Sequence, residues 1–150
     1  GLGDVYKRQT YKCADNKHIA IGSIEPKFYK ELLDKLEIDD RRFLDQYNKD
    51  LWPELKNLIA SKVLLKTRSE WEDIFSGTDA CVTPVLDMSE AQQNIHNLKR
   101  NAFTDVDGFN QPSASPRYSV TKPEIKHNAK QVGSDFDEVC NEFGLSKAAF

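Results

Sequence analysis

His18-Ile19-Ala20-Ile21-Gly22-Ser23-Ile24-Glu25-Pro26-Lys27-Phe28 is the stretch on which the reading of the fold turns. Ile19 and Ile21 alternate with their neighbours, which is the period of a half-buried strand. From Pro26 onward the spacing changes: Phe28, Leu32, Leu33 and Leu36 recur at helical intervals. Pro26 suits the first helical position, where a missing N–H costs nothing. Strand therefore gives way to helix within five residues, and Pro26 to Leu36 is predicted to be an amphipathic helix. Upstream, Thr10-Tyr11-Lys12-Cys13 alternates in the same way. Ala14-Asp15-Asn16-Lys17 between the two runs has turn chemistry. The two strands read as a hairpin, with the helix facing it.

Downstream the pattern is mostly helical. Ile38 to Asn48 is charged and carries no clear period. Leu51, Leu55, Leu58, Ile59 and Val63 form one apolar stripe, with Asp50 available as a cap and Pro53 in the first turn. Thr67-Arg68-Ser69-Glu70 has capping-box spacing and opens a helix bearing Trp71, Ile74 and Phe75, with Gly77 as its stop. Ala80 to Thr83 reads as a short strand ended by Pro84. Ser89 caps a helix reaching about Ile95. Ala102 to Val106 is a weak strand, and Gly108 to Tyr118 an exposed loop. Ser134 and Asp135 start a last helix, with Val139, Cys140 and Phe143 on one face and Gly144 as its stop. The order is that of an α+β fold: a small sheet of short strands covered by helices.

The chain has 150 residues, a formal net charge of -3 and a pI near 5.6. That balance argues against a dedicated nucleic-acid binder, which needs clustered Lys and Arg. No apolar run reaches the length of a membrane span. Cys13, Cys81 and Cys140 are isolated, odd in number and outside any CxxC pair, which fits a reducing compartment. They read as buried small apolar residues. His18, His96 and His127 read as surface residues, because none has a metal-ligand partner at a recognised spacing. No metal site is expected. Trp52 and Trp71 read as helix-face core or interface residues. Gly1 to Gln9 has two glycines and no apolar period. It reads as a non-native leader and is set aside from the fold. Neither end reads as a natural domain boundary.

Two positions invite a chemical reading. Glu25 stands between a strand end and a helix start. There its carboxylate can accept the orphan N–H groups of the first helical turn. The same junction also places side chains at the mouth of a sheet, and a glutamate can orient a histidine and balance its charge. Spacing alone favours the cap and leaves the second role open. Asp79 to Val85 (DACVTPV) is the second position: it reads first as a buried strand with a Pro stop, and second as a small-residue strand able to approach a ligand or another chain.

Tyr11-Lys12-Cys13-Ala14-Asp15, Ile21 to Tyr29 (IGSIEPKFY) and Gly77 to Leu86 (GTDACVTPVL) resemble the α-methylacyl-CoA racemases, a family within the class III coenzyme A transferase superfamily. Asn97-Leu98-Lys99-Arg100 and Glu142-Phe143-Gly144 are also similar. The resemblance runs from about Thr10 to about Ser146. It implies the small domain of the class III fold over residues 10–120, and a segment over 121–150 returning toward a large domain. It also implies an isomerase of lipid metabolism that epimerises 2-methylacyl-CoA thioesters by removing and returning the α-proton. Two bases are implied, a His and an Asp, both in the large domain. The assisting Glu maps onto Glu25, and Ile24 stands near the acyl chain by adjacency. No cofactor is implied, since the substrate itself carries coenzyme A. The implied assembly is an interlocked homodimer, with each active site between the large domain of one subunit and the small domain of the other. The compartment would be cytoplasmic in a bacterium, or peroxisomal or mitochondrial in a eukaryote. Two departures stand out: the family's FYDTY stretch survives only as Thr10-Tyr11, and Asn16 stands where the family usually has Gly. Two other readings remain, a class III CoA transferase acting through an aspartyl-acyl intermediate and a non-catalytic interaction domain.

Overall fold

The computed structural model describes residues 6–146. The chain divides into two units, Gly1–Leu86 and Asp87–Phe150.

The first unit is built on a three-stranded antiparallel sheet in the order β1-β2-β3, with β1 at Gln9–Lys12, β2 at His18–Ile21 and β3 at Val82–Val85. Tyr11 lies opposite Ile19, and Ile19 lies opposite Pro84. Because side chains alternate across a strand, Tyr11, Ile19, Ile21, Val82 and Pro84 share one face. Asn16 in the β1–β2 turn has φ +63°, a left-handed conformation that Asn accepts more readily than most residues.

Three helices cover that face: α1 at Pro26–Lys35, α2 at Trp52–Val63 and α3 at Arg68–Phe75. α1 contributes Tyr29 and Leu32, and α2 contributes Leu55, Ile59 and Val63 at i, i+4 and i+8; all are buried. Leu51 and Leu58 pack at the edge of the same core. α3 opens with the expected capping box: Thr67 Oγ1 accepts the Glu70 N–H, and the Glu70 carboxylate accepts the Thr67 N–H at 2.8 Å. Trp71 is buried, and its indole N–H donates to the Val63 carbonyl at the end of α2 (2.9 Å). Trp52 is half-buried against the core. The hairpin turn is tied to the α2–α3 corner, where the Ala14 N–H donates to the Lys66 carbonyl and the Asp15 carboxylate accepts the Arg68 N–H. The charged segment after α1 forms two short 3-10 turns, Arg41–Leu44 and Lys49–Leu51.

Several expectations change in detail. Leu51, not Asp50, sits at the N-cap of α2. Pro84 lies inside β3 and does not end it. Among the described residues β3 pairs only with β2, so an edge strand absorbs the missing N–H. Within the stretch set aside as a leader, Gln9 begins β1, and Tyr6 and Lys7 are buried. The Lys7 ammonium lies over the Tyr29 and Tyr47 rings and donates to Gln46.

The second unit contains α4 (Met88–Gln93), α5 (Ile95–Lys99), a hairpin of β4 (Phe103–Val106) and β5 (Phe109–Pro112), and α6 (Phe136–Phe143). Asp87, not Ser89, caps α4 through a second capping box with Glu90, and Asn94 starts a separate helix. The hairpin replaces the first part of the loop expected from Gly108. Asp107 and Gly108 both have positive φ, the conformation that suits a two-residue hairpin turn. α6 ends as expected at Gly144, whose φ is +62°. Among the described residues of this unit Cys140 is the one buried side chain. Val139 and Phe143 on the same helix are exposed.

Candidate active site

Glu25 occupies the N-cap position of α1, with extended backbone (φ −70°, ψ 144°). Its carbonyl accepts the Tyr29 N–H at 2.9 Å, the first bond of the helix. Its side chain makes no cap hydrogen bond and is exposed. Pro26 follows directly, so the position has one orphan donor fewer to satisfy. The carboxylate is therefore not used as a cap, and one of the two roles open from spacing is absent from the structure.

The backbone that carries Glu25 is tightly held. β2 ends at Ile21, and the Gly22 N–H then donates to the Cys81 carbonyl at 2.8 Å. Ser23 is fully buried, and its hydroxyl donates to the carbonyl of Ala80, which is also buried. The Ile24 N–H turns back to the Gly22 carbonyl at 2.9 Å, and Ile24 itself is half-buried. From α1, Glu31 accepts the Asp79 N–H at 3.0 Å, while Lys27 pairs with Asp79 at 3.3 Å in full view of solvent. The two stretches singled out by sequence, IGSIEP and GTDACV, thus meet edge to edge.

At their junction Cys81 has φ +54° and an exposed thiol, against the expectation of burial. The loop leaving Ala80 must reverse to enter β3, and that reversal turns the thiol outward. Local burial raises the Cys81 thiol pKa, and the charges of Glu25, Asp79 and Glu31 raise it further. Three carboxylates therefore act on one small area of surface. Cys13 and Cys140 are buried, as expected of small apolar residues.

The three histidines are all exposed, as the sequence predicts. Among the described residues no group of three or more His, Cys, Asp or Glu side chains is arranged to hold a metal ion. Among them also, no helix is long and apolar enough to cross a membrane. The junction offers one exposed, uncommitted carboxylate on a fixed backbone. That arrangement can accept an N–H from a base and stabilise it when charged.

The backbone arrangement has a counterpart among solved structures. The crystal structure of Rv3272 from Mycobacterium tuberculosis aligns with a TM-score of 0.69 at 16% identity, covering 89% of this chain and 38% of that one. Small antiparallel sheets with covering helices, laid out in this order, define part of a class III CoA-transferase fold. Residues 3–136 match CoA-transferase family III, and the chain belongs to that family. α-Methylacyl-CoA racemase of Mus musculus is 40% identical over 141 residues, which is 92% of this chain and 37% of the mouse protein. The Homo sapiens racemase is 38% identical over the same coverage. The chain spans a little over a third of the length of these curated relatives.

Proposed function

We propose that this chain is the portion of an α-methylacyl-CoA racemase that supplies Glu25 to the active site. The observation that carries the reading is the free carboxylate of Glu25, held at a helix start without capping it. The similarity of about 40% to two named racemases supports it. The reaction removes the proton beside a thioester carbonyl and returns it on the other face. That proton is weakly acidic, so its transfer requires positioned bases and stabilisation of the enolate oxygen. Glu25 accepts the N–H of a large-domain imidazole, fixes its tautomer, and balances the imidazolium formed when the α-proton arrives. An aspartate of the large domain serves the opposite face. Ile24 lies beside the acyl chain. The working assembly is an interlocked homodimer, and the substrate brings its own coenzyme A with no further cofactor.

The test is deuterium exchange at C2 of a single epimer of a 2-methylacyl-CoA in heavy water. It uses full-length protein carrying this chain. Exchange with loss of stereochemical purity is expected. The 150-residue chain alone, lacking the His and Asp, should give neither.

A second reading, CoA transfer between carboxylates, is favoured by the family name that residues 3–136 match. Coenzyme A moving to an acceptor acid without C2 exchange would establish that reading instead.

A further inference from the structure

Ser23 is fully buried, two residues ahead of Glu25. A buried hydroxyl is unfavourable unless it is hydrogen-bonded. This one donates across 57 positions of sequence to the Ala80 carbonyl. The preceding residue repeats the tie, with the Gly22 N–H on the Cys81 carbonyl. Two consecutive residues before Glu25 are thus bonded to two consecutive residues of the loop after α3. A Cβ on Gly22 would already stand 3.5 Å from the Cys81 carbonyl oxygen, so the two backbones run in contact there. Nothing equivalent holds the Glu25 side chain itself, which makes no cap hydrogen bond. The placement of its carboxylate must therefore come from the backbone below it.

We infer that Ser23 is a positioning residue for Glu25, fixing through the Ala80 carbonyl the corner of chain from which the carboxylate projects. The inference rests on the reading of Glu25 as the partner of a catalytic imidazole. Ser23 itself touches no reacting group. Its role is to hold the Gly22–Glu25 corner against the loop of residues 79–81, so that the carboxylate meets the imidazole without a search. Displacements near 1 Å cost up to about 100-fold in rate. Loss of one of several ties is expected to cost about 10-fold.

The test is a double-mutant cycle in the full-length enzyme, read by α-proton exchange. Ser23→Ala should lower kcat about 10-fold and raise KM by less than that, the KM change reflecting Ile24, which shares the corner and lies beside the acyl chain. In a Glu25→Gln background the same change should have no further effect, because there is no carboxylate left to position. Ser23→Thr, which keeps the hydroxyl, should retain most of the rate. Glu31→Ala removes the acceptor of the Asp79 N–H from the surface side. It should show a smaller loss that also vanishes beside Glu25→Gln, and it keeps the cycle readable where Ser23→Ala folds poorly. An equal loss from Ser23→Ala with and without Glu25 overturns the inference and leaves Ser23 as a packing residue. An unchanged rate in Ser23→Ala alone overturns it as well. An unchanged rate in Glu25→Gln is a different result: it removes the role given to Glu25.

Discussion

Replacing Glu25 by Gln separates capping from chemistry, because the same molecule contains a true cap for comparison. At α3 the Thr67 hydroxyl accepts the Glu70 N–H, and the Glu70 carboxylate returns a bond to the Thr67 N–H. Deleting such a cap hydroxyl costs about 1 kcal/mol. For a chain of 150 residues that melts as a whole, 1 kcal/mol is about 2–4 °C in melting temperature. At α1 the Glu25 carboxylate makes no cap hydrogen bond and is exposed, so only its interaction with the helix dipole is lost. Substitutions at such sites fall within about 0.5 kcal/mol, or about 1–2 °C here.

The assay is thermal unfolding of the 150-residue chain followed by Trp52 and Trp71 fluorescence, with Thr67→Ala as the reference. Thr67→Ala should melt about 2–4 °C lower, and Glu25→Gln should stay close to the parent. In the full-length enzyme the ranking should invert. Glu25→Gln should slow α-proton exchange by about 100-fold or more, the range typical of general acid–base assistance, while Thr67→Ala leaves it nearly unchanged. Equal destabilisation by the two changes, together with an undiminished exchange rate, would refute the reasoning and return Glu25 to a cap.

Other expectations follow from the same geometry. Of the three cysteines only Cys81 is exposed, so limiting iodoacetamide should label it first, as peptide mapping would show. Its thiol pKa is raised by burial and then by Glu25, Asp79 and Glu31. Glu25→Gln should therefore lower the pKa and speed alkylation at pH 8; an unchanged rate would mean the carboxylate does not act on the thiol. The cap carboxylates Glu70 and Asp87 are held below their ordinary range by the N–H and hydroxyl groups of their capping boxes. A carboxylate lowered in the folded state stabilises it above the unfolded value and loses that effect as pH falls through the folded one. Glu70→Gln should thus narrow the gap from the parent as pH is lowered through the carboxylate range, measured by urea midpoints. Val120, Val132 and Phe143 are exposed in the second unit, so the chain should bind a hydrophobic dye. A dye-silent chain would favour the independent interaction domain.

What the sequence made legible was what neighbouring residues decide. The β1–β2 hairpin needs only its alternation and the Asp15-Asn16 turn. The α2 face needs only Leu55, Ile59 and Val63 at helical spacing, and the α3 start needs only Thr67 and Glu70. Some local signals compete with one another. The prolines and small residues after Gly108 read as a loop, yet Asp107-Gly108 between two short alternating runs is a strong hairpin turn. Asp87 lay three residues before Glu90, the spacing of the capping box that Ser89 lacks. Pro84 looked like a strand end because its pairing side could not be known before the sheet order placed β3 at an edge.

The candidate site was legible in its parts but not in their assembly. Glu25 and the DACVTPV stretch were each singled out, but the bonds joining them link Gly22 to Cys81 and Ser23 to Ala80, with no period between them. The choice between cap and catalytic carboxylate also has no local solution, since both roles want Glu before Pro at a helix start. The cap role alone turns on whether the helix's first N–H groups recruit the side chain, and here they do not. The cap at α1 is left unmade while those at α3 and α4 are made with full capping boxes. A cap of the Thr67 kind is worth about 1 kcal/mol; Glu25 makes none, while its backbone is tied to a second loop. An exposed carboxylate with no cap bond, on a fixed backbone, is available to a partner. The imidazole of the proposed racemase is a partner of the right chemistry.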